Sequence, residues 1–171
     1  MSADKEIREI LPRVPIKKFP YVRRPRPEHR ALRDAFQEGV RRDFVLHMVE
    51  NSGEALRKAG LSKAQIDRIA ETGRLPSHLN VHHIRPLDDG GTNAFSNLVI
   101  MRKYPDHEAL HQYADPQLRG LGLGQRRVID LPMPPAGIYV ADNAAKQEIP
   151  RGNVPALQAA AQVRRARGGR R

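Results

Sequence analysis

The chain has 171 residues, a length suited to one globular domain with ragged ends, and its 30 Lys and Arg against 19 Asp and Glu give a formal net charge of +11. It has no cysteine, which excludes disulfides and thiolate zinc sites, and only 5% aromatic residues with no tryptophan, which argues against extensive stacking on nucleic-acid bases. No stretch is long and apolar enough to span a bilayer, and residues 1–11 contain no apolar h-region, so no secretory signal peptide is expected.

In chain order, residues 1–26 are basic and broken at Leu11-Pro12, Val14-Pro15, Phe19-Pro20 and Arg24-Pro25, which predicts an irregular arm. Residues 27–73 read as helical. Pro27 suits a helix start, and Leu32, Phe36 and Val40 recur at helical spacing. Ser62-x-x-Gln65 forms a capping box, Ile66, Ile69 and Ala70 share a face, and Gly73 is the stop. Leu79 to Leu87 reads as a strand and Asn97 to Met101 as its return. Between them Asp88-Asp89-Gly90-Gly91 forms a turn in which glycine supplies positive φ. Pro105-Asp106 opens a helix through Tyr113, with His107, Leu110 and His111 on one face, and Ala114-Asp115-Pro116 ends it. Leu98, Ile100 and Leu110 are assigned to core packing. Gly120, Gly122 and Gly124 predict a loose loop, followed by short strands over Val128 to Leu131 and Gly137 to Val140. The Ala- and Arg-rich residues 141–171 read as a weak helix or a flexible, disordered tail. The predicted class is α+β, with a domain over residues 27–140 whose helices (27–73) support a small hairpin–helix core (74–115).

Four histidines carry the chemistry. His107 and His111 stand at i, i+4, one above the other on a helix, and can reach one ion together. His82 and His83 are adjacent on a strand and face opposite ways, so only one of them can join that ion. Imidazole suits zinc and its transition-metal neighbours, and a free imidazole near neutrality suits a general base. Three ligands plus one free ring follow: His107 and His111 on the metal with one of His82 and His83, and the other of that pair apart. An H-x-x-x-H pair, a His-His pair or a Gly-Gly turn alone would say little; their order and spacing together point to one site. Of the other histidines, His47 lies in an apolar run and is expected at the core or its boundary, His29 is expected exposed, and His78 is close enough to the motif to reach a substrate.

The segment from Val81-His82-His83-Ile84-Arg85-Pro86-Leu87 through Gly90-Gly91-Thr92-Asn93 and Asn97-Leu98-Val99 to His107-x-x-x-His111 resembles the HNH family. It is nearest to the DNase domains of colicins and pyocins and to HNH toxin domains of polymorphic and type VI secretion effectors. The resemblance covers roughly residues 74–113. It implies a ββα-metal (His-Me finger) core around one divalent ion (zinc, nickel or magnesium) and hydrolysis of DNA, with RNA left open. His82, His107 and His111 match the family's metal ligands, His83 its general base, and Asn97 the middle residue that braces the hairpin loop. Asn80 stands where colicin relatives often carry a carboxylate, a departure among the residues that orient the ligands. The absence of cysteine fits the colicin-like branch.

The resemblance further implies an antibacterial toxin, made in a bacterial cytoplasm without a signal peptide, exported by a dedicated secretion system and neutralised by an acidic immunity protein. The alternatives are a housekeeping or phage-type HNH endonuclease and a non-catalytic, metal-stabilised nucleic-acid-binding module. A monomer is expected. The basic balance favours a polyanionic partner, and Arg85 and Arg102, flanking the motif, are candidates for phosphate contact. Backbone recognition with little sequence preference fits this composition.

Overall fold

Five helices and five strands make up the computed structural model, which describes residues 3–141. In order these are α1 (Ala3–Ile10), β1 (Ile16–Val22), α2 (Arg26–Ala35), α3 (Arg41–Lys58), α4 (Lys63–Thr72), β2 (Leu79–His83), β3 (Leu98–Arg102), α5 (Glu108–Ala114), β4 (Arg126–Pro132) and β5 (Gly137–Ile138). The class is mixed α and β, as expected. β2 and β3 pair antiparallel with His82 opposite Val99 and His83 opposite Leu98, and β5 adds to β3 in parallel.

The hairpin lies between two apolar layers, and this positions its histidines. Leu79 and Val81 of β2, with Leu98 and Ile100 of β3, pack on Phe44, Val45 and Met48 of α3, Leu56 and Ile69. Val99 and Met101, on the opposite face of β3, pack on Ala109 and Leu110 of α5 and on Ile7 and Leu11 of the N-terminal region. Residues Leu98 to Met101 are therefore sealed on both faces at 0% exposure. That explains why β3 reads as an unbroken apolar run rather than an alternating one.

The helical prediction holds in its details. Pro27 occupies the first turn of α2. Ser62 and Gln65 form the reciprocal capping box of α4, and Gly73 closes that helix in the left-handed conformation. α2 and α3 run as one rod through a π-helical turn over Phe36–Val40 as far as a kink at Ser52 within α3.

The irregular arm predicted for residues 1–26 is corrected. Its first part is α1, and β1 pairs along its whole length with β4, Ile16 opposite Pro132 and Val22 opposite Arg126. Pro20 lies inside β1 opposite Val128, which a sheet of two strands tolerates because each strand is an edge. The partner strand comes from the far end of the described chain, so no local pattern announced the pairing. β1 also clamps the hairpin loop: the Val22 N–H and the Tyr21 hydroxyl donate to the Asp89 and Asp88 carboxylates, and the Arg24 N–H donates to the Asp88 carbonyl at 2.6 Å. The tail reading for residues 141–171 lies outside the described residues beyond Ala141, which is itself buried. No helix among the described residues is long and apolar enough to cross a membrane.

Candidate metal centre

His82 projects from β2 toward α5, where His107 ends a π-helical turn (Lys103–His107) and His111 follows one turn on. The ring centroids are 5.1 Å apart for His82 and His107, 5.7 Å for His82 and His111, and 4.6 Å for His107 and His111. One ring nitrogen of each lies within 4.8 Å of those of the other two, so the three could hold a metal ion. Burial pushes the His82 imidazole well below its ordinary range, and the neighbouring His107, His111 and His83 push it further. Burial, then His111, lowers His107 to about 4. Both rings are thus neutral near pH 7, the form that binds metal, with no proton to displace. Among the described residues neither makes a hydrogen bond, so their lone pairs are uncommitted. The Asp115 carboxylate stands 3.4 Å from Nδ1 of His111, leaving Nε2 as that ring's lone pair. Three imidazoles so placed are a donor set that could hold one metal ion.

His83 turns the other way, as strand alternation requires, and rests on Phe36 with ring centroids 4.5 Å apart. Its Nε2 lies 2.9 Å from Oδ1 of Asn93, whose Nδ2 donates to the Leu32 carbonyl at 2.9 Å. With the amide held that way round, Nε2–H donates and Nδ1 carries the free lone pair. Burial lowers the His83 imidazole below its ordinary value, the Asn93 bond offsets part of this, and the nearby Arg33 charge lowers it again. His83 therefore rests as a neutral base. Asn93 is a residue to which the sequence reading gave no role; an amide at the close of the loop was visible, but its reach back to His83 was not.

Asn97 does what its position suggested. Its Oδ1 accepts from the Arg85 N–H at 2.8 Å, and its Nδ2 donates to the carbonyls of Arg85 at 3.0 Å and Thr92 at 2.9 Å. It braces the loop and makes no hydrogen bond to the His83 ring, so its place is that of a positioning residue. Gly90 has φ +72, as a turn glycine should. Gly91 is required for a different reason: a Cβ there would lie 2.1 Å from the Arg85 carbonyl oxygen.

The two arginines chosen from the sequence have structural tasks. Arg102 grips the fully buried Asp106 with two bonds of 2.9 and 2.6 Å, a structural tie beside its expected reach to phosphate. Arg85 donates from Nε to the Asp89 carbonyl at 2.8 Å and lies over the Phe19 ring. His47 is exposed, not core: its ring leans on Phe95 and bonds Asn51. His78 is exposed, whereas His29 is half-buried.

His29 belongs to a cavity of about 410 Å³ that also takes in His82, His83, His107 and His111. The α2–α3 rod supplies Arg33, Phe36, Gln37 and Arg41 to its lining. Asn80 is there too, its Oδ1 3.5 Å from Arg41 Nη2.

Comparison with known proteins adds little to this geometry. The chain is 29% identical over 131 residues to a protein of Escherichia coli (strain K12) named "Uncharacterized protein YhhZ". The match covers 77% of this chain but spans only 32% of that relative's length. No family model and no solved structure matches.

Proposed function

We propose that the chain is a metal-dependent endonuclease of the HNH type, hydrolysing phosphodiester bonds of DNA, with the β2–β3 hairpin and α5 as its ββα-metal core. One observation carries the reading: three imidazoles converge from hairpin and helix, while a fourth, His83, faces the same cavity with its tautomer fixed by Asn93. His82, His107 and His111 would hold the divalent ion, which when bound supplies Lewis-acid neutralisation of phosphate charge. Nδ1 of His83 takes a proton from water as the water oxygen bonds to phosphorus, and Nε2–H stays anchored on Asn93. The P–O3′ bond breaks with its electron pair on O3′, which takes a proton from solvent water, leaving a 5′-phosphate and a 3′-hydroxyl. The Asn97 brace holds the loop that carries Asn93, and so holds the base in register.

A net charge of +11 suits both a DNA substrate and an acidic inhibitor. The role we favour is an antibacterial toxin paired with an acidic immunity protein. The leading experiment is plasmid nicking with chelator and metal add-back. Wild type should nick only with metal, and His83→Ala should lose most of the rate while still binding the ion. Undiminished nicking by His83→Ala overturns the mechanism.

A further inference from the structure

The cavity wall opposite in sequence to the histidines is a regular pattern. His29, Arg33, Gln37 and Arg41 recur at every fourth residue along the α2–α3 rod, and all four line the cavity that holds the candidate metal site. Asp34 and Glu38, the acidic residues interspersed among them, do not line it. In an unbroken α-helix such a series would not stay on one side. Four residues at about 100° each advance the side chain by about 40° beyond a full turn, so three steps drift by about 120°. The π-helical turn over Phe36–Val40 cancels much of this. At about 4.4 residues per turn, a four-residue step there falls about 30° short of a full turn, turning Arg41 back toward the side that bears Arg33. The bulge also turns buried Phe36 onto the His83 ring.

We propose that this stripe is a phosphate track that receives the sugar-phosphate backbone of DNA alongside the metal centre. The idea rests on the nuclease reading for its choice of polyanion. Its spacing fits such a ligand: steps of about 6 Å along the helix axis add to about 18 Å, a length over which one duplex strand presents about five phosphates. The side chains are available. Among the described residues Arg33 and Gln37 make no side-chain hydrogen bond or ion pair, and Arg41 has only the 3.5 Å contact with Asn80. The two carboxylates lining the cavity are on other elements: Asp88 accepts the Tyr21 hydroxyl, and Asp115 stands beside His111. Arg33 lies close enough to His83 for its charge to act on that ring, so phosphate held by Arg33 sits next to the base.

The test uses the full chain, a fluorescent duplex oligonucleotide and chelator, so that binding is read without cleavage. The variants are Arg33→Gln, Arg41→Gln and their double, with Arg68→Gln on α4 as a basic residue away from the cavity. At about 0.9 of salt slope per phosphate contact, the double should lower the slope of log affinity against log salt by about 2, and weaken binding at 0.1 M salt about fifty-fold. Arg68→Gln should match wild type, and circular dichroism should show all variants folded. A double variant that binds with wild-type affinity and slope removes the track, as does a wild type that fails to bind DNA at low salt. The two ideas separate cleanly. Loss of binding in the double with no plasmid nicking by wild type keeps the track and rejects the nuclease, and nicking by a wild type whose double binds undiminished does the reverse.

Discussion

Metal should stabilise this fold by an amount that depends on three named rings. In a tetrahedral site with Zn–N distances of about 2.0–2.1 Å, ligand nitrogens stand about 3.4 Å apart. The candidate nitrogens already lie within 4.8 Å of one another, so closure needs each pair to approach by about 1.4 Å or less, within reach of side-chain rotation. His82 and His107 are held neutral by burial, so metal displaces no proton from them near pH 7. Free zinc at a hundred times its dissociation constant should then add about 2.7 kcal/mol to stability. For a domain of this size that corresponds to a rise in Tm of about 5–10 °C. In His111→Ala, a site weakened a hundredfold would sit at its own dissociation constant under the same conditions and keep about 0.4 kcal/mol, a shift of about 1 °C. His83→Ala should lower the starting Tm through lost packing on Phe36, yet show the full metal-induced rise. Differential scanning fluorimetry at fixed free zinc reads all three. A wild type indifferent to metal, or a His83→Ala variant that loses the shift as His111→Ala does, would show that these imidazoles do not form the site described.

Two further outcomes follow from particular contacts. Asn93→Ala should cut kcat about tenfold to a hundredfold with metal affinity unchanged, because His83 loses the bond that selects its tautomer; an unchanged kcat in nicking kinetics would rule that role out. Asp89 is buried to 1%, and among the described residues its Oδ2 has no hydrogen-bond partner, with Arg85 Nε 3.8 Å away. Burial raises its carboxyl above the ordinary 3.8, so the folded state holds this proton more tightly than the unfolded state, and Asp89 makes stability fall as pH rises through that window. Asp89→Asn removes the term. Its Tm relative to wild type should be more favourable at pH 7 than at pH 4, and thermal melts giving the reverse order would refute the sign.

Site and fold were not equally readable in the sequence. The pair His107 and His111 was legible because i, i+4 on a helix is local, and strand alternation narrowed the third ring to His82 or His83, between which the resemblance chose. The capping box of α4 and the left-handed Gly73 were legible for the same reason. β1 was not, because its ladder is completed by β4 and its prolines mimic an irregular arm. The tie between Arg102 and Asp106 was not legible, because an i+4 acid is ordinary until the fold buries its carboxylate. Asn93 and the π-helical turn needed coordinates: one acts across the loop, and the other depends on a hydrogen-bond shift that composition does not encode.

The antiparallel register of the hairpin has a consequence for how such a site can change. Because His82 and His83 serve opposite walls, parity along β2 divides the labour between them. Inserting one residue between Leu79 and His82 would exchange the two imidazoles, sending the proton acceptor to α5 and a ligand against Phe36. Variation in a lineage built on this hairpin should therefore spare the count of residues in the strand, along with Asn93 and Asn97, whose bonds hold His83 and the loop.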